Sequence, residues 1–223
     1  MSLEMDIEVF MFIGKFSAFS SLAPFFLGLM RFRTISPELR LLLTLTGVSF
    51  LCDMASLFHA QLRIGGNYPG DVYRMAEFIL LIMIYYIAFD TPKFAKPFFI
   101  LTIFYILFLI SNVTFFQQEK INSYTFVFSS LVFIVLATGF FYKLMKDLPT
   151  LEVYRLPMFW ISVAVLVYFA GNLFLFTLSH YLVTTMKDNL RVYWTFHNFL
   201  NILNNILFTI GFYVSSKPSK NSL

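Results

Sequence analysis

The chain has 223 residues, of which 59% are hydrophobic, 20% aromatic and 13% charged, and its mean hydropathy is +0.77. That composition excludes a water-soluble domain, which needs a polar surface; the net charge of +4, with no basic run outside the apolar stretches, excludes a nucleic-acid surface. A bilayer is the solvent that fits, because about 20 apolar residues cross about 30 Å of hydrocarbon.

The apolar stretches predict an all-α polytopic membrane protein with seven transmembrane helices, at about 9–30, 39–61, 72–90, 96–116, 122–145, 153–182 and 192–214. Acidic residues (Glu4, Asp6, Glu8) precede the first stretch, where a secretory signal would be positive, so it reads as a mature span. It ends at Arg31-Phe32-Arg33-Thr34-Ile35-Ser36-Pro37. Gly65-Gly66-Asn67-Tyr68-Pro69-Gly70-Asp71, the strongest turn signal, separates spans two and three. Asp90-Thr91-Pro92-Lys93 and Lys146-Asp147-Leu148-Pro149 close spans three and five. Residues 1–216 read as one transmembrane domain and 217–223 as a flexible cytoplasmic tail. The single cysteine, Cys52, lies inside span two and has no intramolecular disulfide partner.

Loop cations predict the orientation. One side carries Arg31, Arg33, Arg40, Lys93, Lys96, Lys143, Lys146, Arg155, Lys217 and Lys220; the other carries Arg63, Arg74, Lys120, Lys187 and Arg191. The richer side is expected to be cytoplasmic, with the N-terminus outside. The first and last thirds also look related. Phe25-Phe26-Leu27-Gly28-Leu29-Met30-Arg31 matches Phe140-Phe141-Tyr142-Lys143-Leu144-Met145-Lys146, Val72-Tyr73 matches Val192-Tyr193, and His59 and His180 precede those pairs. Three spans, a linker span and three spans place both triplets parallel. Span seven has no lysine, which excludes a retinal Schiff base.

Polar side chains are costly in hydrocarbon and are expected to face the bundle interior. Span seven is the richest: Trp194, His197, Asn201, Asn204 and Phe208 recur at three-four spacing on one face, flanked by Asn198 and Asn205. With odd spans running inward and even spans outward, Lys15, Asp53, His59, Glu77, Asn112, Asn172, His197 and Asn201 all fall in the outer half. The inner halves are greasy, as in Leu81-Ile82-Met83-Ile84-Tyr85-Tyr86 and Ile206-Leu207-Phe208-Thr209-Ile210. This pattern predicts a polar cup open to the outside over an apolar floor. Lys15 needs a counter-ion at that depth, which Asp53 or Glu77 supplies, and Arg74 and Glu77, three apart, pair along one helix.

Ser56-Leu57-Phe58-His59 loosely resembles the second-span pattern of the zinc-dependent membrane hydrolases related to alkaline ceramidases and adiponectin receptors. Those proteins carry two histidines four apart in the last span. Here the matching pair is His197 and Asn201, and zinc prefers imidazole, thiolate or carboxylate to an amide. On that reading His59, Glu77 and His197 are the candidates for a three-ligand metal site. The stretches Leu156-Pro157-Met158-Phe159-Trp160-Ile161, Tyr168-Phe169-Ala170-Gly171-Asn172-Leu173-Phe174 and Trp194-Thr195-Phe196-His197-Asn198-Phe199-Leu200-Asn201-Ile202-Leu203-Asn204-Asn205-Ile206-Leu207 resemble the last two spans of bacterial seven-span proteins, some of which carry such a bundle ahead of a histidine kinase. The resemblance implies a membrane sensor module in a bacterial inner membrane.

The expectation is therefore a sensory or ligand-binding bundle without a cofactor. Asp53, Glu77, Asn172, Trp194, His197, Asn201 and Asn204 line the cup, with Lys15 and Arg74 as charge partners. Its partners are the bilayer, a small ligand or ion and a cytoplasmic signalling protein. A small-solute or ion transporter using the same residues is the alternative, and the zinc hydrolase is third.

Overall fold

The structure, a computed structural model, describes residues 7–62, 68–116, 123–147, 152–181 and 191–215. Among them there are helices and turns and no strand. In chain order the helices are α1 (Ile7–Ser20), α2 (Leu22–Met30), α3 (Pro37–Gln61), α4 (Tyr68–Phe89), α5 (Ala95–Ser111), α6 (Ser123–Asp147), α7 (Pro157–Tyr181) and α8 (Arg191–Val214).

Among the described residues, six helical segments are long and apolar enough to cross a membrane: Glu8–Met30, Pro37–His59, Tyr68–Phe89, Pro92–Phe115, Tyr124–Asp147 and Pro157–Thr177. The helix α8 matches them in length, at 24 residues. Its four asparagines and His197 keep it out of that apolar group. The outward surface is the reverse of a soluble protein's. Phe12, Phe26, Leu51, Phe99, Val135 and Phe174 are among many large apolar side chains left exposed. Hydrocarbon accommodates such a surface and water does not.

Local departures from simple helices have local causes. The first span is two helices with a step at Ser21. Pro24 has no N–H to return to the Ser20 carbonyl four residues back. The Ser20 and Ser21 hydroxyls turn onto the carbonyls of Ser17 and Ala18, at 2.6 and 3.0 Å. The helix α4 stops at Asp90, whose φ of 47° lies in the left-handed region that aspartate tolerates better than most residues. A π-turn at Asn112–Phe116 follows α5.

Helix α7 packs between α6 and α8, and α3 packs on α4. Helix α8 also lies along α1 and α2, while α5 leans on α4 and α6. Two glycines permit close approach. A Cβ on Gly171 of α7 would stand 2.7 Å from Leu200 Cδ1 on α8, and one on Gly28 of α2 would stand 2.9 Å from the Phe212 ring. One end of the bundle is sealed. Leu81, Ile84 and Tyr85 of α4 are fully buried there, with Ile161 and Val165 of α7 and Phe212 of α8. An aromatic ladder crosses above this seal: Phe78 stacks on Tyr105 at 3.8 Å, meets Phe133 at 5.2 Å, and Phe133 meets Phe169 at 4.7 Å.

Two cations tie the sealed end together. Arg31, just past α2, donates from Nη1 to the carbonyls of Phe212 and Tyr213 at 2.7 and 2.9 Å. Lys143 of α6 donates from Nζ to the carbonyls of Ala88 and Phe89 at 3.2 and 2.6 Å. The last carbonyls of α8 and α4 lack intrahelical donors, and a cation also suits the negative end of each helix dipole.

Candidate functional site

The opposite end of the bundle is polar. It is built from the N-terminal halves of α4, α6 and α8 and the C-terminal halves of α3 and α7. On α4, a four-residue spacing stacks Tyr73 over Glu77, and the Tyr73 hydroxyl donates to Glu77 Oε1 at 2.9 Å. Arg74 and Glu77 are both buried. The ion pair of Arg74 runs to Asp71, at 3.6 Å, rather than to Glu77. The same guanidinium lies within electrostatic reach of Glu77, Tyr105, Tyr168 and His197.

On α7, Asn172 is 0% exposed. Its Nδ2 donates to the Tyr168 carbonyl at 2.9 Å, and its Oδ1 lies 2.7 Å from His197 Nδ1 on α8. The first bond fixes the amide orientation, so the oxygen faces the ring and Nδ1 must carry the hydrogen. Aromatic rings enclose His197: Trp194 at 5.5 Å, Phe176 at 5.9 Å, Tyr168 at 6.0 Å and Phe126 at 6.5 Å between centroids. The Trp194, Phe176 and Phe126 contacts are edge-to-face, an arrangement aromatic rings favour.

On α3, Asp53 lies one turn after Ser49. Its Oδ2 is buried and has no partner among the described residues. Tyr73 and Tyr168 both lie within its electrostatic reach. Tyr168 therefore joins the two halves of the site. Its phenol senses Glu77, Asp53 and Arg74, its carbonyl holds Asn172, and its ring borders His197. Below it, Tyr105 of α5 stacks on Phe78 of α4 and lies within electrostatic reach of Glu77.

Asp53, Arg74, Glu77, Asn172, Trp194 and His197 thus converge. Tyr73 and Tyr168 were not singled out from the sequence. The signal for both was present, since each sits four residues before a buried polar partner, Glu77 or Asn172. Asn204 shares the His197 face two turns deeper, is 8% exposed, and leaves Oδ1 buried without a partner among the described residues.

The remaining candidates lie elsewhere. Asn201 turns to α1, where its Nδ2 donates to Ser17 Oγ at 3.0 Å, and Asn205 does the same to Ser20 Oγ at 2.7 Å. This pair ties α8 to the first span beside its step. Lys15 is exposed on α1 and makes no ion pair among the described residues, so neither Asp53 nor Glu77 neutralises it. His59 lies near the end of α3 with its ring edge-on to Tyr68 at 6.5 Å. Among the described residues no three His, Cys, Asp or Glu side chains gather as metal ligands, so His59, Glu77 and His197 do not form such a group. Arg63, Lys120, Lys187, the His180 side chain and the tail from 216 fall outside the described residues.

The chain matches no protein-family profile, no curated protein and no solved structure. The site's own chemistry is therefore the guide. It offers carboxylate and amide acceptors, one arginine already paired, a neutral-capable imidazole held in one tautomer, and aromatic walls.

Proposed function

We propose that the chain is a sensory or ligand-binding membrane protein in which α8 acts as a seventh span and the polar end receives a small solute from outside the cell. The observation that carries this reading is the one-ended distribution of polarity. Side chains from α3, α4, α7 and α8 meet around Tyr168, while Phe78, directly after Glu77, begins a fully buried apolar floor. Buried polar groups left unpaired are rare in folded proteins, and Asp53 Oδ2 and Asn204 Oδ1 are both of that kind. A site prepared for a ligand accounts for both. The loop-cation bias supports an N-terminus outside, and the likeness of the last two spans to bacterial sensor modules supports signalling through a cytoplasmic partner in a bacterial inner membrane.

One observation favours a carrier as the second reading. Arg31 of the first span holds the end of α8, and Lys143 of α6 holds the end of α4. If the chain is two parallel triplets joined by α5, each triplet's first span grips the other's last. Such a reciprocal latch suits two halves that rock about a central site.

The two tryptophans separate these readings from a purely structural role for the polar groups. Trp194 borders His197, whereas Trp160 lies at the sealed end and donates to the Tyr154 carbonyl at 2.7 Å. In sealed vesicles with uniform orientation, caesium added on one side quenches Trp194 in the Trp160→Phe variant, and caesium on the other side does not. Trp194 shielded from both sides would make the cluster interhelical glue and overturn the proposal.

A further inference from the structure

We propose that the polar end binds a monovalent cationic centre, either an alkali cation or the ammonium group of a small amine. The inference rests on the ligand-binding reading above and names the ligand's chemistry.

Charge is the first argument. The cluster holds Asp53, Asp71 and Glu77 against Arg74, and the ion pair of Arg74 is with Asp71. Glu77 receives its hydrogen bond from Tyr73, a neutral donor, and Asp53 leaves Oδ2 without one. Neither carboxylate has a cation within salt-bridge distance among the described residues. Carboxylates at membrane depth normally face a positive partner.

Polarity of the unmet groups is the second argument, and it is independent of the charge count. Both buried orphan atoms, Asp53 Oδ2 and Asn204 Oδ1, are hydrogen-bond acceptors. An acceptor is satisfied by a donor or a cation and is repelled by an anion. Asn204 lies on the His197 face of α8, two turns deeper than His197, and is buried. Among the described residues of the cluster, an anionic ligand would find the Arg74 guanidinium engaged with Asp71 and several oxygens opposing it.

The walls supply the third argument. The rings of Tyr168, Phe126, Phe176 and Trp194 stand together around His197. Aromatic faces attract cations, alkylammonium groups above all. A divalent ion fits less well, because its higher charge calls for several carboxylates and the described residues gather no group of three His, Cys, Asp or Glu side chains to hold one.

The test is the thermal stability of the purified full-length protein at constant ionic strength. N-methyl-D-glucamine, a bulky and strongly hydrated organic cation, sets the baseline and is replaced in turn by sodium, potassium or choline. One of these is expected to give a saturable rise in Tm, and which one does so distinguishes an alkali ion from an organic ammonium. In Asp53→Asn, which keeps the side chain's shape, the apparent affinity is expected to fall about thirtyfold, as removing one partner of a buried charge contact does. Lys15→Gln, on the exposed face of α1, is expected to retain it. The proposal is overturned if none of the three cations gives a saturable shift, which would leave the carboxylates neutralised by protons. A shift equal in wild type and Asp53→Asn also overturns it. Trp194 that is quenched from one side while no cation binds sinks this inference alone; Trp194 shielded from both sides sinks the ligand-binding reading with it.

Discussion

The bond between Asn172 and His197 is the most exacting point in the site, and a double-mutant cycle measures it. Asn172 is completely buried and both ends of its amide are occupied, by the Tyr168 carbonyl at 2.9 Å and by His197 Nδ1 at 2.7 Å. Asn172→Leu leaves the His197 Nδ1–H without an acceptor inside a ring of aromatic side chains, which costs about 1–3 kcal/mol. His197→Phe keeps an aromatic ring there but orphans Asn172 Oδ1, again at about 1–3 kcal/mol. The double variant places leucine against phenylalanine and leaves neither orphan. Its destabilisation is therefore expected to fall short of the sum of the single variants by about 1–2 kcal/mol, at the upper end of interhelical hydrogen bonds in membranes, which average about 0.6 and reach about 1.7 kcal/mol. The upper end is expected because the pair is closed off by Trp194, Phe176, Tyr168 and Phe126. Equilibrium unfolding in mixed micelles of increasing SDS content gives the four stabilities. Additivity within about 0.5 kcal/mol would refute the reasoning, since independent sites add to that accuracy.

Two further outcomes follow from packing and from the sealed end. Gly171→Ala drives a methyl group to within 2.7 Å of Leu200, so α8 must shift or Leu200 must leave its rotamer, at about 1–3 kcal/mol; Gly171→Ser is expected to be no milder, and unchanged micellar stability in both variants would contradict the close approach of α7 and α8. Arg31→Gln and Lys143→Gln each remove a cation from the last carbonyls of a helix, and each is expected to lower stability by about 1–2 kcal/mol, read in the same titration; the two effects are expected to add because the contacts share no residue.

The six apolar helices were legible in the sequence because burial in lipid leaves long apolar runs with little else to interrupt them; the seventh predicted stretch forms the helix α8, which lies outside that apolar group. The end of α4 at Phe89 fell beside the predicted boundary because Asp90-Thr91-Pro92 is strong local punctuation, whereas α7 starts at Pro157, about a turn later than the predicted 153. The step at Ser21 was not foreseen, although Pro24 marks it, because the hydropathy of the stretch runs through the break. Depth along each helix was enough to collect Asp53, Glu77, Asn172 and His197 at one end. It was not enough to rotate them. Asn201 and Asn204 are three apart on one helix, yet the first bonds Ser17 on α1 while the second faces the interior. Lys15 shows the same limit, since its depth suggested burial and its rotation places it outside. Arg74 pairs with Asp71 although Glu77 is equally three residues away, and Glu77 takes its hydrogen bond from Tyr73. Such choices depend on neighbouring helices, which a single sequence does not arrange in space.

The central claim is that these polar groups share one compartment closed by an apolar floor, and cysteine accessibility tests it most directly. In a Cys52→Ser background, single cysteines replace Tyr73 and Trp194 above the floor and Ile84 and Val165 within it, and a membrane-impermeant maleimide is applied from each side in turn. The account predicts labelling at 73 and 194 from one side only, and none at 84 and 165 from either side until SDS unfolds the protein. Labelling of 84 or 165 from the opposite side, or no labelling of 73 and 194 from any side, would contradict it.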